Sequence, residues 1–375
     1  MKFNVPSKTL YNYTSAVSKV INAKNALTVL NNFLFTLEDE TLTVTAADME
    51  NCLTARVPVS GSEGEGSFCL DARRLVDLLK ELPDCGVEFD INDDTMEVNI
   101  SYLSGEYNTI AVSGKEYPVF DQNMEGELKK FDCPTEVVVK GVENTLFAVG
   151  NDDLRPMMMG IFWDIKPDQI IFVATDTRKL VKYTNANVAP GLTGSFILPL
   201  KSAAVLKNVF AKEESISITV SQKSILFESP SFTFNSRLIK GNFPDYNRVI
   251  PQSNPYIMTV NRVDLLNAVR RVGVFANGGN GLIKFKLGHN KLTMKAQDTG
   301  FGTSGREELD CEYDGKDFVI GFGSTYLIEI FSTISSDSVV MRLSDPSRPA
   351  VCAPDEDPEG TSMLVLLMPM NITEY

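Results

Sequence analysis

Residues 41–50 read TLTVTAADME, residues 169–178 read QIIFVATDTR, and residues 291–300 read KLTMKAQDTG. Each stretch has the alternation of apolar and polar residues that is typical of a β-strand, and each carries an aspartate as its eighth residue. Successive aspartates lie 128 and 122 residues apart. This regular spacing indicates that one structural unit is repeated three times along the chain.

Other landmarks keep the same separations. A phenylalanine that opens an apolar stretch recurs 128 and then 122 residues further on, at Phe68, Phe196 and Phe318. The first two copies also start alike, with FNVP at residues 3–6 and FDCP at residues 131–134. We therefore predict three homologous units at 1–124, 125–253 and 254–375, each the size of an ordinary domain.

Each unit contains two segments with helical periodicity among about eight alternating strands. In the first, Leu10, Val17 and Ile21 form an apolar stripe, and Ser7 is the predicted helix cap. The six predicted helices are 7–21, 71–82, 135–148, 200–212, 262–273 and 324–335. The predicted fold class is α+β, with two helices packed on antiparallel sheets in each of three repeats.

The composition is typical of a soluble globular protein, since 43% of the 375 residues are hydrophobic and 22% are charged. No apolar segment resembles a secretory signal, and the longest apolar run, 363–370, is much shorter than the ~20 residues of a membrane helix. Within that run, residues 364 and 365 are predicted to lie in a buried edge strand. The six cysteines are scattered without a CxxC pair, which argues against a zinc site. We expect a cytoplasmic protein with no metal and no cofactor.

The net charge of −14 is unevenly distributed. With the first helix extended to Lys24, the six predicted helices together carry +6, so the strands and loops carry −20. Mildly basic helices could hold a polyanion while the acidic remainder repels it. Alternatively, the lysines and arginines simply occupy solvated helix faces.

No constellation of catalytic residues is present in the sequence. The single histidine, His289, is predicted to lie in a hairpin turn, and the GxGxxG pattern at 300–305 leads into a strand where a phosphate site needs a helix. The three repeated aspartates are predicted to be turn or cap residues. A hydrolase using Asp152 and Asp153 lacks a base or metal cluster to support it, so we predict that the protein is not an enzyme.

The threefold repeat, the phrase VATDTRKL at 173–180, the phrase FPDYNRVIP at 243–251 and MPM at 368–370 together resemble the bacterial DNA polymerase III beta subunit family, the sliding clamps. The resemblance covers the whole chain. It implies a head-to-tail homodimer whose six domains form a ring around duplex DNA, bound without sequence preference. It also implies a processivity factor that tethers the replicative polymerase and works with a clamp loader. The alternative is an acidic three-repeat β-rich scaffold that does not act on DNA.

The resemblance also assigns roles to individual residues. The implied DNA-facing residues are Lys24, Arg73, Lys201 and Arg271. The implied dimer interface joins Tyr107 of the first unit to Val274 and Phe275 of the third. The implied cleft for short partner peptides is formed by Met158, Thr175, Thr177, Leu180, Pro244, Arg248, Val249, Tyr326, Leu366, Leu367, Met368, Pro369 and Met370.

Two departures from the family pattern lie at this cleft. Thr177-Arg178-Lys179-Leu180 stands where the family commonly has Gly-His-Arg-Leu. The chain also continues beyond Met370 with NITEY, whereas the family commonly stops soon after Met-Pro-Met. Both departures affect which peptide sequence the cleft prefers.

Overall fold

A computed structural model describes residues 1–22, 24–118, 124, 126–276, 278 and 281–372. It divides into two compact units, the first formed by 1–138 and 204–238 and the second by 139–203 and 239–375. Residue 125, at the first predicted domain boundary, lies outside the described residues. Within the described part of the chain, no helix is long and apolar enough to cross a membrane.

The described part of the chain contains six α-helices, which correspond in position to the six predicted segments. They are α1 (Ser7–Val17), α2 (Ala72–Glu81), α3 (Thr135–Thr145), α4 (Leu200–Val209), α5 (Arg262–Gly273) and α6 (Ser324–Thr333). Two of them begin with the side-chain caps that helix N-termini favour. Asp71 accepts a hydrogen bond from the backbone of Arg74 at 2.8 Å, and Asn261 accepts one from Asp264 at 3.0 Å.

The first unit contains two antiparallel sheets, with strands numbered along the chain. Its strands are β1 (Lys2–Pro6), β2 (Asn32–Glu38), β3 (Thr41–Ala47), β4 (Asn51–Pro58), β5 (Ser60–Glu63), β6 (Gly66–Asp71), β7 (Gly86–Ile91), β8 (Glu97–Tyr102), β9 (Gly105–Ile110), β10 (Val112–Ser113), β11 (Lys129–Pro134), β16 (Ser215–Val220), β17 (Ser224–Glu228) and β18 (Phe232–Arg237). Five strands are ordered β5-β1-β7-β8-β9, and nine are ordered β10-β6-β2-β3-β4-β18-β17-β16-β11.

The second unit also contains two antiparallel sheets. Its strands are β12 (Gly160–Lys166), β13 (Gln169–Thr175), β14 (Lys179–Asn185), β15 (Gly194–Pro199), β19 (Tyr256–Asn261), β20 (Leu282–Gly288), β21 (Lys291–Asp298), β22 (Thr303–Asp310), β23 (Glu312–Tyr313), β24 (Phe318–Gly323), β25 (Ser338–Leu343), β26 (Ala350–Pro354) and β27 (Thr361–Leu367). Nine are ordered β15-β12-β13-β14-β27-β26-β25-β19-β23, and four are ordered β22-β21-β20-β24.

Alternating side chains of these strands form the cores. On β2, Phe33, Phe35 and Leu37 are fully buried while the residues between them are half-buried. Phe35 stacks on Phe68 of β6, with ring centroids 5.2 Å apart. In the second unit, Trp163 is fully buried. Burial of such side chains contributes about 1.5–3 kcal/mol each, so the period-two pattern that predicts the strands also accounts for their packing.

The repeated aspartates stabilise turns, as predicted. Each uses its Oδ1 to accept hydrogen bonds from the backbone amides two and three residues later, an arrangement typical of aspartate in turns. The pairs are Glu50 and Asn51 to Asp48, Arg178 and Lys179 to Asp176, and Gly300 and Phe301 to Asp298, at 2.7–3.2 Å. His289 is exposed in the two-residue turn that joins β20 to β21, which confirms the predicted hairpin.

Three local predictions were wrong. Ser7 does not cap α1, because its hydroxyl instead donates to the Pro83 carbonyl oxygen at 2.6 Å. The first helix ends at Val17, and Lys24 lies beyond both it and a following 3₁₀ turn. Residues 364 and 365 were predicted to lie in an edge strand, but β27 pairs with β14 on one side and β26 on the other.

Candidate functional site

All thirteen residues of the predicted peptide cleft lie in the second compact unit. They come from separate elements: a 3₁₀ turn before β12, β13 and β14 with the turn between them, the loop and 3₁₀ turn at 243–249, α6, and β27 with the residues that follow it. Five of the side chains are exposed: those of Thr177, Pro244, Arg248, Val249 and Met368. By contrast, Leu367 is fully buried, so it supports the site from beneath and cannot contact a ligand.

Buried apolar side chains form a floor beneath these positions. Leu180 of β14 and Leu366 of β27 belong to one buried cluster with Tyr246. The partly buried rings of Phe162 and Phe243 pack against that cluster and stack with centroids 4.8 Å apart. The floor therefore joins β12, β14, β27 and the loop that precedes Tyr246, which are distant in sequence.

The turn between β13 and β14 forms one rim. Thr175 donates its hydroxyl to the carbonyl oxygen of Lys179 at 2.8 Å and accepts the amide of Thr177 at 3.1 Å. Thr177 has a φ of +75°, a left-handed conformation that disfavours a β-branched residue. The hydrogen bonds from Thr175 and Asp176 hold the turn in this conformation.

Lys179 links this turn to α6. Its buried ammonium lies 2.7 Å from Asp176 Oδ2 and 2.9 Å from Glu329 Oε2, and 4.7 Å from the ring centroid of Tyr326. Burial disfavours the charged ammonium, but the hydrogen bonds and charges of the two carboxylates outweigh that effect and raise the pKa of Lys179. The charge of Lys179 is thus balanced within the protein by Asp176 and Glu329. Sequence reasoning missed this pairing, because Glu329 lies 150 residues away in the chain.

A cavity of about 540 Å³ lies where α6 begins, beside the end of β27. Four predicted cleft residues line it: Tyr326, Met368, Pro369 and Met370. Arg178 and Ser324 also line it but were not predicted as cleft residues. The departure from the family pattern at Arg178 was the signal in the sequence that could have indicated its place in this cavity.

The chain beyond Met368 is hydrogen-bonded to β24 within the second unit. The Met370 amide donates to the carbonyl oxygen of Gly321 on β24 at 2.8 Å. A Cβ at Gly321 would lie 2.7 Å from Ile372 Cγ2, so a glycine is needed for this close approach. Of the segment NITEY that follows Met370, Asn371 and Ile372 are described and residues 373–375 lie outside the described residues.

The four predicted DNA-facing residues differ in their surroundings. Lys24 is exposed, and the Arg73 side chain is 91% exposed with Asp77 3.9 Å away. Lys201 is half-buried at the start of α4. Arg271 makes two hydrogen bonds to the Glu307 carboxylate, at 2.8 and 2.7 Å, and this pairing lowers the pKa of Glu307. Arg271 therefore has its charge compensated within the chain.

The predicted interface residues lie at two sheet edges. Tyr107 is on β9, an outer strand of the five-stranded sheet, and its ring stacks with Tyr102 at 6.0 Å. Val274 and Phe275 follow α5 and are 78% and 40% exposed. A Cβ at Gly305 would lie 2.7 Å from the Phe275 ring, so this ring rests on β22, an outer strand of the four-stranded sheet.

Three family models match the chain in sequence order: the N-terminal, central and C-terminal domains of the DNA polymerase III beta subunit, at residues 1–121, 132–245 and 247–371. The chain belongs to the DNA polymerase III beta subunit family. These matches confirm the predicted fold class of three repeated clamp domains.

Relatives of similar length support this assignment. The beta sliding clamps of Pseudomonas aeruginosa and Haemophilus influenzae are each 25% identical to this chain, with 99% of it and 100% of the relative covered. A solved structure of a P. aeruginosa sliding clamp bound to griselimycin matches with a TM-score of 0.92 at 24% identity, covering 99% of this chain and 100% of that one. That structural likeness concerns the fold.

As a member of the DNA polymerase III beta subunit family, the protein is a DNA sliding clamp that supports processive replication, and the family's members are processivity factors rather than enzymes. Family membership supports partnership with DNA and a polymerase, and dimer formation. Within the described ranges, no group of three or more His, Cys, Asp or Glu side chains is arranged to hold a metal ion.

Proposed function

We propose that this chain acts as a three-domain clamp, with boundaries at 1–124, 125–253 and 254–375, that closes head to tail with a second copy around duplex DNA in the cytoplasm. A clamp loader and the replicative polymerase would engage it through short peptides bound in the cleft. The observation that carries the proposal is the ordered match to three clamp-domain models, which together span nearly the whole chain.

Two unpaired sheet edges support head-to-tail closure. Among the strands of the described residues, β9 and β22 each have a neighbour on one side only, which leaves backbone groups available to a partner strand. Large apolar side chains are exposed near both edges. Leu103 precedes β9, Ile110 is the last residue of β9, and Phe301 precedes β22. Pairing β9 of one copy with β22 of another would satisfy the backbone groups. It would also cover these side chains together with those of Tyr107 and Phe275.

Weak attraction to phosphates supports retention of DNA. A ring that encircles DNA stays bound by topology, so its inner residues need to provide only a modest attraction that does not trap it at one position. Lys24, Arg73 and Lys201 are the residues proposed for this contact. Arg271 contributes less, because the guanidinium is held by Glu307. The acidic remainder of the chain would discourage DNA from binding elsewhere.

Replacing Lys24, Arg73 and Lys201 together by glutamate is expected to reduce binding to duplex DNA and the number of clamps that a loader places on DNA. The slope of log affinity against log salt is negative, and each lost phosphate contact makes it less steep by about 0.9. Filter binding over a range of salt concentrations measures that slope, and gel filtration should show an intact dimer.

A matched control changes Lys115, Lys130 and Lys240, which are exposed residues outside the six helices, to glutamate. This control alters the net charge by the same amount. We expect the control to retain more binding than the first triple variant. Equal losses in the two variants would contradict the proposed DNA-facing positions and leave only a general charge effect.

The cleft is the proposed site for partner peptides carrying a glutamine and a Leu-x-Phe pair. The buried cluster that includes Leu180 and Leu366 gives a rigid floor, and Met368 and Met370 offer flexible side chains that adapt to different partners. Because a short peptide loses conformational entropy when it becomes ordered, a single cleft should bind with a Kd of about 1 µM. Two clefts in a dimer would let one partner assembly gain affinity by avidity.

A further inference from the structure

Arg178 provides an uncompensated positive charge at the cavity beside the cleft. Its backbone is fixed on both sides: its amide donates to Asp176 Oδ1 at 2.8 Å, and its carbonyl oxygen accepts the Met368 amide at 2.8 Å. The side chain itself is exposed. Among the residues that the structure describes, none forms an ion pair with its guanidinium. The backbone is thus positioned while the charged group stays available.

Two other basic residues of the cleft are already paired. Lys179 is buried between Asp176 and Glu329, and Arg248 lies 3.0 Å from Asp245. Lys179 is buried and cannot bind a new anion without giving up a partner, and Arg248 has its charge partly balanced by Asp245 and does not line the cavity. Arg178 is therefore the basic side chain of this group that can respond to the charge of a ligand.

The cavity that Arg178 lines has a mixed chemistry. Tyr326, Met368 and Met370 provide apolar surface, and no Asp or Glu belongs to the described lining residues. Its volume of about 540 Å³ is enough for more than one amino-acid side chain. A ligand that fills it would place an apolar group against the methionines and the tyrosine, and an acidic group beside Arg178.

We infer that Arg178 selects partner peptides that carry an acidic side chain next to their apolar pair. This inference rests on the proposed peptide-binding function of the cleft and names the chemistry of the peptides it prefers. The chain as a whole carries a net charge of −14 and repels acidic peptides at long range. A preference for an acidic peptide would therefore arise locally, at Arg178.

A double-mutant cycle tests this inference. Fluorescein-labelled synthetic peptides with a glutamine and a Leu-x-Phe pair would carry glutamate, glutamine or lysine at each remaining position in turn. Their affinities would be measured by fluorescence anisotropy for the full-length wild type, Arg178→Gln and Arg178→Glu. At one position we expect glutamate to improve binding to the wild type about threefold over glutamine, the size of a solvent-accessible ion pair.

The variants should then separate charge recognition from general effects. Arg178→Gln should bind the glutamate and glutamine peptides equally, and Arg178→Glu should prefer lysine at the same position. High salt should reduce the wild-type preference through screening. Arg248→Gln is the matched control and should keep that preference, because Arg248 is paired with Asp245 and does not line the cavity.

The possible failures are distinguishable. If the peptides bind but no position shows a preference that depends on residue 178, the inference is overturned and the cleft assignment stands. If none of the peptides binds the wild type, the cleft assignment is overturned and the inference with it.

Discussion

Removal of residues 368–375 is expected to abolish the binding of partner peptides, weakening a micromolar affinity by about 100-fold or more. The deletion removes Met368 and Met370 from the cavity that Tyr326 lines. It also removes the amide of Met368 that holds the carbonyl oxygen of Arg178. Fluorescence titration with a labelled peptide, and polymerase stimulation on a primed template, measure the loss.

The rest of the fold should tolerate this deletion. β27 ends at Leu367, so its pairing with β14 and β26 is retained. Thermal melting and dimer mass should therefore stay close to those of the wild type. Deletion of residues 373–375 alone is the matched control and should leave peptide affinity unchanged, since Met370 and its bond to Gly321 remain. Unaltered peptide affinity in the longer deletion would show that the cleft lies elsewhere.

Phe275→Asp is expected to convert the dimer into folded monomers. The Phe275 ring is 40% exposed and rests on Gly305 of β22, beside the edge proposed to pair with β9 of a second copy. Aromatic side chains at the centre of an interface commonly contribute 2 kcal/mol or more, which corresponds to a dimer dissociation constant raised about 30-fold. Light scattering over a dilution series gives the mass, and circular dichroism verifies folding.

Val263→Asp provides the control for that experiment. Val263 is an exposed apolar residue at the beginning of α5, the helix that Phe275 follows. The substitution introduces the same charge at the opposite end of α5 from Phe275, so the dimer mass should equal that of the wild type. A Phe275→Asp protein that remains dimeric at all concentrations tested would refute the assignment of this edge to the interface.

Repetition made much of the fold predictable. The three aspartates recur at a fixed spacing because each closes the same turn, and the structure shows the same pair of amide hydrogen bonds at all three. The helices were predictable because their apolar stripes have a clear period. The partners of the strands were not, since alternation specifies which face is buried but not which strand lies alongside.

Two pairings illustrate that limit. β4 pairs with β18, and β14 pairs with β27, so each nine-stranded sheet contains strands from two successive predicted repeats. The same limit explains why residues 364 and 365 were predicted to lie in an edge strand. At the cleft, the sequence does not indicate that Lys179 contacts both Asp176 and Glu329, because these contacts depend on the packing of α6 against the turn.

The central claim is that this protein is retained on DNA by encircling it, and a topological experiment tests that claim most directly. The protein would be loaded by a clamp loader onto nicked circular DNA, separated from free protein by gel filtration, and the DNA then cut once with a restriction enzyme. We predict that the clamp co-elutes with the circular DNA at moderate salt and is released when the circle becomes linear. Retention on the linear DNA equal to that on the circle would contradict the account, because a protein held by direct contacts would not respond to the cut.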